Sequence, residues 1–337
     1  MRKTNPPEID FVIPWVDGND PAWQEEFSHY STKTGDVRVQ RYQDWDLMRY
    51  WFRAVEQYAP WVRKIHFVTW GHTPEWLDTS NPKLNIVKHT DYIPEAYLPT
   101  FQSNTIELNM HRIEGLSEHF VFFNDDLFLT KAVTPEFFFK KGLPCDCFSL
   151  QSIVFNPNSI GWTNGSVMSV INKHFNMRRT LKKHWKKMLS PRNGIKKVVK
   201  TMLHAVCHPW FPGLYYSHTT SAYLKSTLET LWKLEPEILD ETCRCRFREK
   251  LNVNQYLFKF WQLVTGQFYP QKASLTKCYH MRLRNVPQVC RNIREKTYAV
   301  LCINDIGEIP DITETVESIR DAFEAVLPNK CSFEKDR

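Results

Sequence analysis

The chain has 337 residues, of which 42% are hydrophobic, 14% aromatic and 24% charged. Those proportions exclude a disordered or fibrous chain and suit one large domain or two moderate ones. The formal charge of +7 is local: residues 178–200 hold ten Lys or Arg and no acid, and without them the balance is −3.

Residues 9–16 (IDFVIPWV) read as a buried strand, and the Asp17–Gly18–Asn19–Asp20–Pro21 cluster that follows reads as a turn. Residues 44–58 have helical spacing, with Leu47, Tyr50, Trp51, Ala54 and Val55 on one face and Pro60 as a stop. Strands are expected at 64–69, 84–88 and 119–123, and a helix at 104–115. Strands alternating with helices predict an α/β fold. Its sheet should be mainly parallel, Rossmann-like and flanked by helices. Residues 141–216 read as a variable insertion carrying the basic stretch. Helical patterns return at 222–234, 252–264 and 312–326. One composite domain over 1–337 is expected, with 1–140 as the α/β half and 217–337 as a helical half that completes the site.

No apolar run approaches the length of a membrane span, and the first residues lack the pattern of a signal peptide, so neither is expected. Nine cysteines are an odd number, and the spacings Cys145-x-Cys147 and Cys243-x-Cys245 are not those of a zinc site. Reduced thiols in a cytoplasmic protein are the expectation.

Asn124, Asp125 and Asp126 end the apolar run FVFF and lead into a second one, LFL. Two carboxylates at a strand end suit a hard cation such as Mg²⁺ or Mn²⁺, and burying them unpaired would be costly. A capped turn is the competing reading. Asp17 and Asp20 follow the first strand, and Asp10 begins it. Arg41, Arg49, Arg53 and Arg63 offer planar forks to phosphate, although several could simply solvate a helix face. His218 follows the aromatic run LYYS, Arg248 lies near a helix start, and Asn304 and Asp305 follow the apolar run YAVLCI. The absence of GxGxxG, P-loop, nucleophile-elbow and HExxH patterns excludes several common enzyme classes.

With IDFVIPWVDGND, RYQDWDLMRYWFRAVEQYAPWVRKIHFVTWGHTPEWL and LPTFQSNTIELNMHRIEGLSEHFVFFNDDLFL in that order, the chain resembles the Stealth family. That family includes bacterial capsular polysaccharide phosphotransferases and the catalytic subunit of the lysosomal-enzyme N-acetylglucosamine-1-phosphotransferase. Later blocks start at SHTTSAYL and at CINDIGE. The resemblance implies transfer of a sugar 1-phosphate from a UDP-sugar to a hydroxyl of a glycan acceptor, with release of UMP. It implies catalytic roles for His218, Asp125, Arg248 and Asp17. It implies substrate binding by Asp10, Arg49, His111, Arg112, Glu114, Asn124 and Asn304, and metal binding by Asp125, Asp126 and Asp305, with Asp17 as a rival ligand. His218 is the leading base and one of the paired Asp the rival. The family pattern has an acid four residues after the Arg; this chain has Asn252.

A metal-dependent glycosyltransferase releasing UDP is the alternative enzyme, and a polyanion-binding protein the non-enzymatic one. No nucleic-acid partner is expected. In RRTLKKHWKKML, Leu181, Trp185, Met188 and Leu189 share a helical face among lysines. This suits peripheral contact with an anionic membrane, at its inner face in a bacterium; an anionic polymer or plain solvent would also fit.

Overall fold

The apolar run IDFVIPW is strand β1 (Ile9–Trp15) of a computed structural model that describes residues 7–31, 42, 45–155, 160–309 and 312–335. Then come β2 (Ile65–Thr69), β3 (Leu84–Lys88), β4 (His119–Phe122), β5 (Leu127–Leu129), β6 (Phe139–Lys140) and β7 (Leu143–Asp146). The second half supplies β8 (Ser221–Leu224), β9 (Tyr269–Pro270), β10 (Thr276–His280) and β11 (Val300–Asn304).

The central sheet runs β3-β2-β1-β4-β8. Its first four strands are parallel and β8 is antiparallel to β4. Because β1 is followed outward by β2 and β3 on one side and flanked by β4 on the other, the strand order reverses between β1 and β4. Ligands of open α/β sheets bind at that reversal, outside the carboxyl ends of the strands. Two further sheets run β10-β11-β5 and β6-β7-β9. In the first of these, β11 is parallel to β10 and antiparallel to β5. The second half therefore contributes strands on both sides of the 124–126 turn.

Alternation along β1 divides the core. Phe11 and Ile13 pack with Trp51, Phe52, Phe67 and Phe323 on one face. Val12 packs with Phe120, Phe148, Tyr223 and Phe258 on the other. Both faces are covered, so the strand reads as a continuous apolar run. Each buried aromatic contributes about 2–3 kcal/mol of transfer free energy.

Several boundaries move for identifiable reasons. The first long helix begins at Met48, because Asp46 adopts a left-handed φ of 51° just before it. The 104–115 segment is a helix over Ser103–Leu108, then a single 3₁₀ turn over Met110–Arg112, and ends before Gly115 at φ 71°. Residues 222–234 split: Ser221–Leu224 pairs with β4, and only Lys225–Leu234 is helical. Helices Pro21–Tyr30, Gly161–His174 and Pro236–Arg244 occupy stretches the spacing left unassigned. Arg41 and Asp44 lie outside the described residues.

The basic stretch forms helices Met177–Met188 and Ile195–Cys207. The apolar face expected on the first is turned inward. Leu181 and Met188 are buried, Leu189 packs against the core, and of the four only Trp185 is exposed. No helix among the described residues is long and apolar enough to cross a membrane.

Candidate active site

The chain leaves β4 beside β1, where Phe123 N donates to Val12 O at 2.9 Å. Asn124–Asp126 then turn into β5, closed by Leu127 N donating to Asn124 O at 3.1 Å. Ile303 N of β11 donates to Asp126 O at 2.9 Å. The turn is thus held between the two sheets. Asp125 is exposed on it, and Asp126 is half-buried.

Antiparallel pairing of β8 with β4, Phe122 opposite Ser221, brings the residues that precede β8 to the same edge. His218 Nε2 lies 3.3 Å from Asp126 Oδ2 and 3.2 Å from Asn124 Nδ2. Its Nδ1 lies 3.4 Å from Tyr256 OH, at the start of helix Tyr256–Val264. Burial favours the neutral ring, but the Asp126 hydrogen bond and charge outweigh it and push the imidazole up to about 9. A cation that neutralises Asp126 removes that pull and leaves burial to favour the neutral form.

Cys302 Sγ donates to Asp126 Oδ2 at 3.3 Å, and Cys278 Sγ donates to Cys302 Sγ at 3.2 Å across the β10–β11 ladder. All nine cysteines are free. Burial raises the Cys302 thiol well above its usual range, so it stays a donor. Asp126 Oδ1 is buried and has no hydrogen-bond partner. A buried carboxylate oxygen left in this state is an acceptor waiting for a cation. Oxygen donors from this turn fit a hard ion such as Mg²⁺, whereas a protonated thiol does not serve one.

On the cationic side, Arg248 Nη2 donates to Ser103 Oγ at 2.6 Å. Its Nε is buried without a partner. Glu107, one turn further along the Ser103–Leu108 helix, is buried. Burial pushes its carboxyl up, against the opposing pull of Arg248, Ser103, Gln255 N and His218. The charges of Arg248 and of His218 thus both act on Glu107.

Asp17 stands just past β1 at the same sheet edge. Its Oδ1 accepts from Asn19 N at 2.8 Å, and its backbone N donates to His72 Nε2 at 2.9 Å. Asp20 caps helix Pro21–Tyr30 by accepting from Ala22 N and Trp23 N, both at 2.9 Å. Asn304 closes β11, where its carbonyl accepts from Met281 N at 2.8 Å. Asp305 Oδ1 accepts from Gly307 N at 2.8 Å. Among the described residues, the metal-capable side-chain atoms that gather within 4.8 Å are those of Asp126, His218 and Cys302. Neither Asp125 nor Asp305 belongs to that group.

Other expected site residues fall elsewhere. Asp10 is at the amino end of β1, the opposite edge, and is fully buried. There Arg63 Nε donates to its Oδ1 at 2.8 Å, Ser117 N donates to Oδ2 at 2.8 Å, and His66 Nε2 sits 3.1 Å from Oδ2. This is a structural ion cluster, because the strand's side-chain direction and its polarity both take Asp10 away from the ligand edge. His111, Arg112 and Glu114 lead into the amino end of β4 at that same far edge. His111 lies 5.9 Å from the Trp232 ring, and burial, then the Arg112 charge, push it down to about 3. Arg112 lies 5.0 Å over the same ring and donates from Nε to Asn109 Oδ1 at 3.0 Å. Glu114 is exposed. Arg49 turns to the C-terminal segment, 3.7 Å from Glu334 and 5.3 Å over Trp76. Glu107, Ser103, Tyr256 and Cys302 are the site neighbours that sequence reading missed. An acid among the apolar positions of NTIELNM was the available signal for Glu107.

A mainly parallel sheet with a carboxylate turn at its strand-order reversal, met there by His218, is an α/β fold with a candidate ligand site at that edge. Comparison with known proteins makes this specific. Residues 7–35 match the model of Stealth protein CR1, conserved region 1, and residues 41–145 that of Stealth protein CR2, conserved region 2. The capsular polysaccharide phosphotransferase WcwK of Streptococcus pneumoniae is 38% identical over 330 residues, 97% of this chain and 99% of that one. The receptor polysaccharide phosphotransferase WefC of Streptococcus gordonii is 38% identical over 334 residues, with 97% and 99% covered. The exopolysaccharide phosphotransferase cps2G of Lactiplantibacillus plantarum is 34% identical over 339 residues, with 99% and 98% covered. The chain belongs to the Stealth family and is a phosphotransferase. Among solved structures, mouse xyloside xylosyltransferase 1 covers 90% of this chain and 100% of its own at 9% identity and a TM-score of 0.35, too loose a fit to bear on the chemistry.

Proposed function

We propose that the enzyme transfers a hexose 1-phosphate or N-acetylhexosamine 1-phosphate from a UDP-sugar to a hydroxyl of a glycan acceptor, in capsular or exopolysaccharide synthesis. The acceptor oxygen bonds to the sugar-bearing phosphorus, the P–O bond to UMP breaks, and the hydroxyl proton leaves to a base. The products are a phosphodiester and UMP. Two observations support this reading: Asp126 Oδ1 and Arg248 Nε are buried polar atoms without hydrogen-bond partners, suited to a cation and an anion, and the charges of Arg248 and of His218 both act on Glu107.

Phosphoryl transfer asks the protein chiefly for positioning and charge. Arg248, oriented by Ser103, binds the transferring phosphate. His218, oriented by Tyr256 and Asn124, takes the acceptor proton. Mg²⁺ or Mn²⁺ held by Asp126 through Oδ1 would offset charge on the diphosphate. The reaction is proposed to take place in the cytoplasm.

The test is the nucleotide released when purified enzyme, UDP-sugar and glycan acceptor react with Mg²⁺. UMP is expected. UDP would mean that the glycosidic bond breaks instead, and the protein would then be a glycosyltransferase.

A further inference from the structure

Helix Ile195–Cys207 is built inside out. At 100° per residue, Ile195, Val199, Met202 and Val206 fall within about 60° of arc. With Leu203 at the margin, these five are 50% to 78% exposed. Polar groups occupy the side that faces the protein. Thr201 is fully buried; its Oγ1 donates to Lys197 O at 2.9 Å and accepts from Leu150 N at 3.2 Å. The Lys197 ammonium sits 3.2 Å from the Tyr215 ring centroid, and His204 Nε2 lies 3.3 Å from Ser152 Oγ. A surface helix in water has the reverse arrangement, with apolar residues inward. A contiguous exposed apolar stripe of this kind marks a docking face.

The charge around the stripe identifies the occupant. Lys196 and Lys200 follow on its flank, and both are exposed. Across residues 147–228 the chain has no Asp or Glu and twelve Lys or Arg. Exposed Trp185 and Trp210 lie on the segments adjoining this helix. Apolar side chains in a row with lysines beside them and tryptophans nearby match the boundary between lipid headgroups and acyl chains. A hydrated anionic polymer would pair with the lysines but gain nothing from the stripe. A second copy of the chain would set this positive charge against itself.

We infer that the Ile195–Cys207 helix lies in the surface of an anionic bilayer, its apolar stripe among the acyl chains and Lys196 and Lys200 at the headgroups. The contact is on this helix, not on the preceding one, whose Leu181 and Met188 are in the core. The inference is independent of which nucleotide the enzyme releases.

The test is co-sedimentation of the full chain with vesicles of phosphatidylcholine, with and without phosphatidylglycerol. Binding is expected on the anionic vesicles and to be weak on the neutral ones. Met202→Glu/Val206→Glu should lower vesicle affinity by about tenfold or more, since both side chains leave the apolar phase. Lys196→Gln and Lys200→Gln should each lower it roughly fivefold. Melting temperature and turnover on a small soluble acceptor should stay at wild-type values in all of these variants. Absence of vesicle binding by the wild type, or binding indifferent to the double variant, overturns the inference. So does light scattering that shows a dimer which the double variant splits, or retention on an immobilised polyphosphate without vesicle binding.

Discussion

Asp126 follows β4 and His218 precedes the antiparallel β8, and their side chains meet 3.3 Å apart. The contact exists because one edge strand runs against the rest of the sheet. It sets a carboxylate and an imidazole together at the carboxyl end of β4.

Loss of the imidazole should affect chemistry and spare binding. His218→Ala is expected to lower kcat by about 10²–10⁴-fold, the usual contribution of a positioned acid or base. UDP-sugar affinity, read by titration calorimetry, should remain. Near-normal UMP release by this variant would remove His218 from the mechanism.

Arg248→Ala should cost about 10²–10³-fold in kcat, as for other donors aimed at a transferring group. Ser103→Ala removes only the hydroxyl that holds Arg248 Nη2 at 2.6 Å, so a fall of about tenfold or less is expected, comparable to one lost hydrogen bond. If the two variants lose the same amount, Arg248 acts through its hydrogen bond with Ser103 and not on the phosphate.

Metal dependence should separate Asp126 from Cys302. Asp126→Asn is expected to abolish Mg²⁺-stimulated turnover and to weaken Mn²⁺ binding measured by paramagnetic relaxation. Cys302→Ser keeps a donor toward Asp126 Oδ2 and should retain activity within several-fold. A thiol-dependent metal affinity would instead show that the ion is a soft one.

Asp10 separates stability from activity. Its carboxyl is fully buried, which works against its charge, yet His66, Arg63 and Ser117 N outweigh burial and hold it below the usual range. Its stabilising contribution is therefore complete above the unfolded pKa of about 3.9 and is lost as pH falls through the lower folded value. Asp10→Asn should cost roughly 3 kcal/mol at neutral pH, with a lower Tm and unchanged kcat/KM for the folded enzyme. Its melting temperature should fall less steeply than that of the wild type on acidification below about pH 4. A selective rise in KM for the donor would return Asp10 to the substrate site.

The four parallel strands were legible because each is a short apolar run closed by turn residues, a pattern that both-faces burial requires. The local sequence could place Asn124, Asp125 and Asp126 at a strand's trailing end, which the sheet turns into the ligand edge. It also marked His218 and Arg248, though not their partners. Asp10, His111, Arg112 and Glu114 illustrate the limit: they sit beside strands, but at the leading ends, and proximity to a strand does not specify function. SAYLKSTLETLWKL has helical composition throughout, and only competition for the free edge of β4 makes its first four residues a strand. β5 is three residues long and owes its existence to β11, so no local signal announces it. For the basic helices, periodicity shows that an apolar face exists; it cannot show whether that face meets protein or lipid.

The 124–126 turn is stitched at both flanks, to Val12 through Phe123 and to β11 through Ile303. One stitch uses β1, in the first half of the chain, and the other β11, in the second. The candidate site is therefore incomplete in any stretch of chain that lacks either strand. A fragment ending before residue 300 would hold every strand of the central sheet and still lack one flank of the turn.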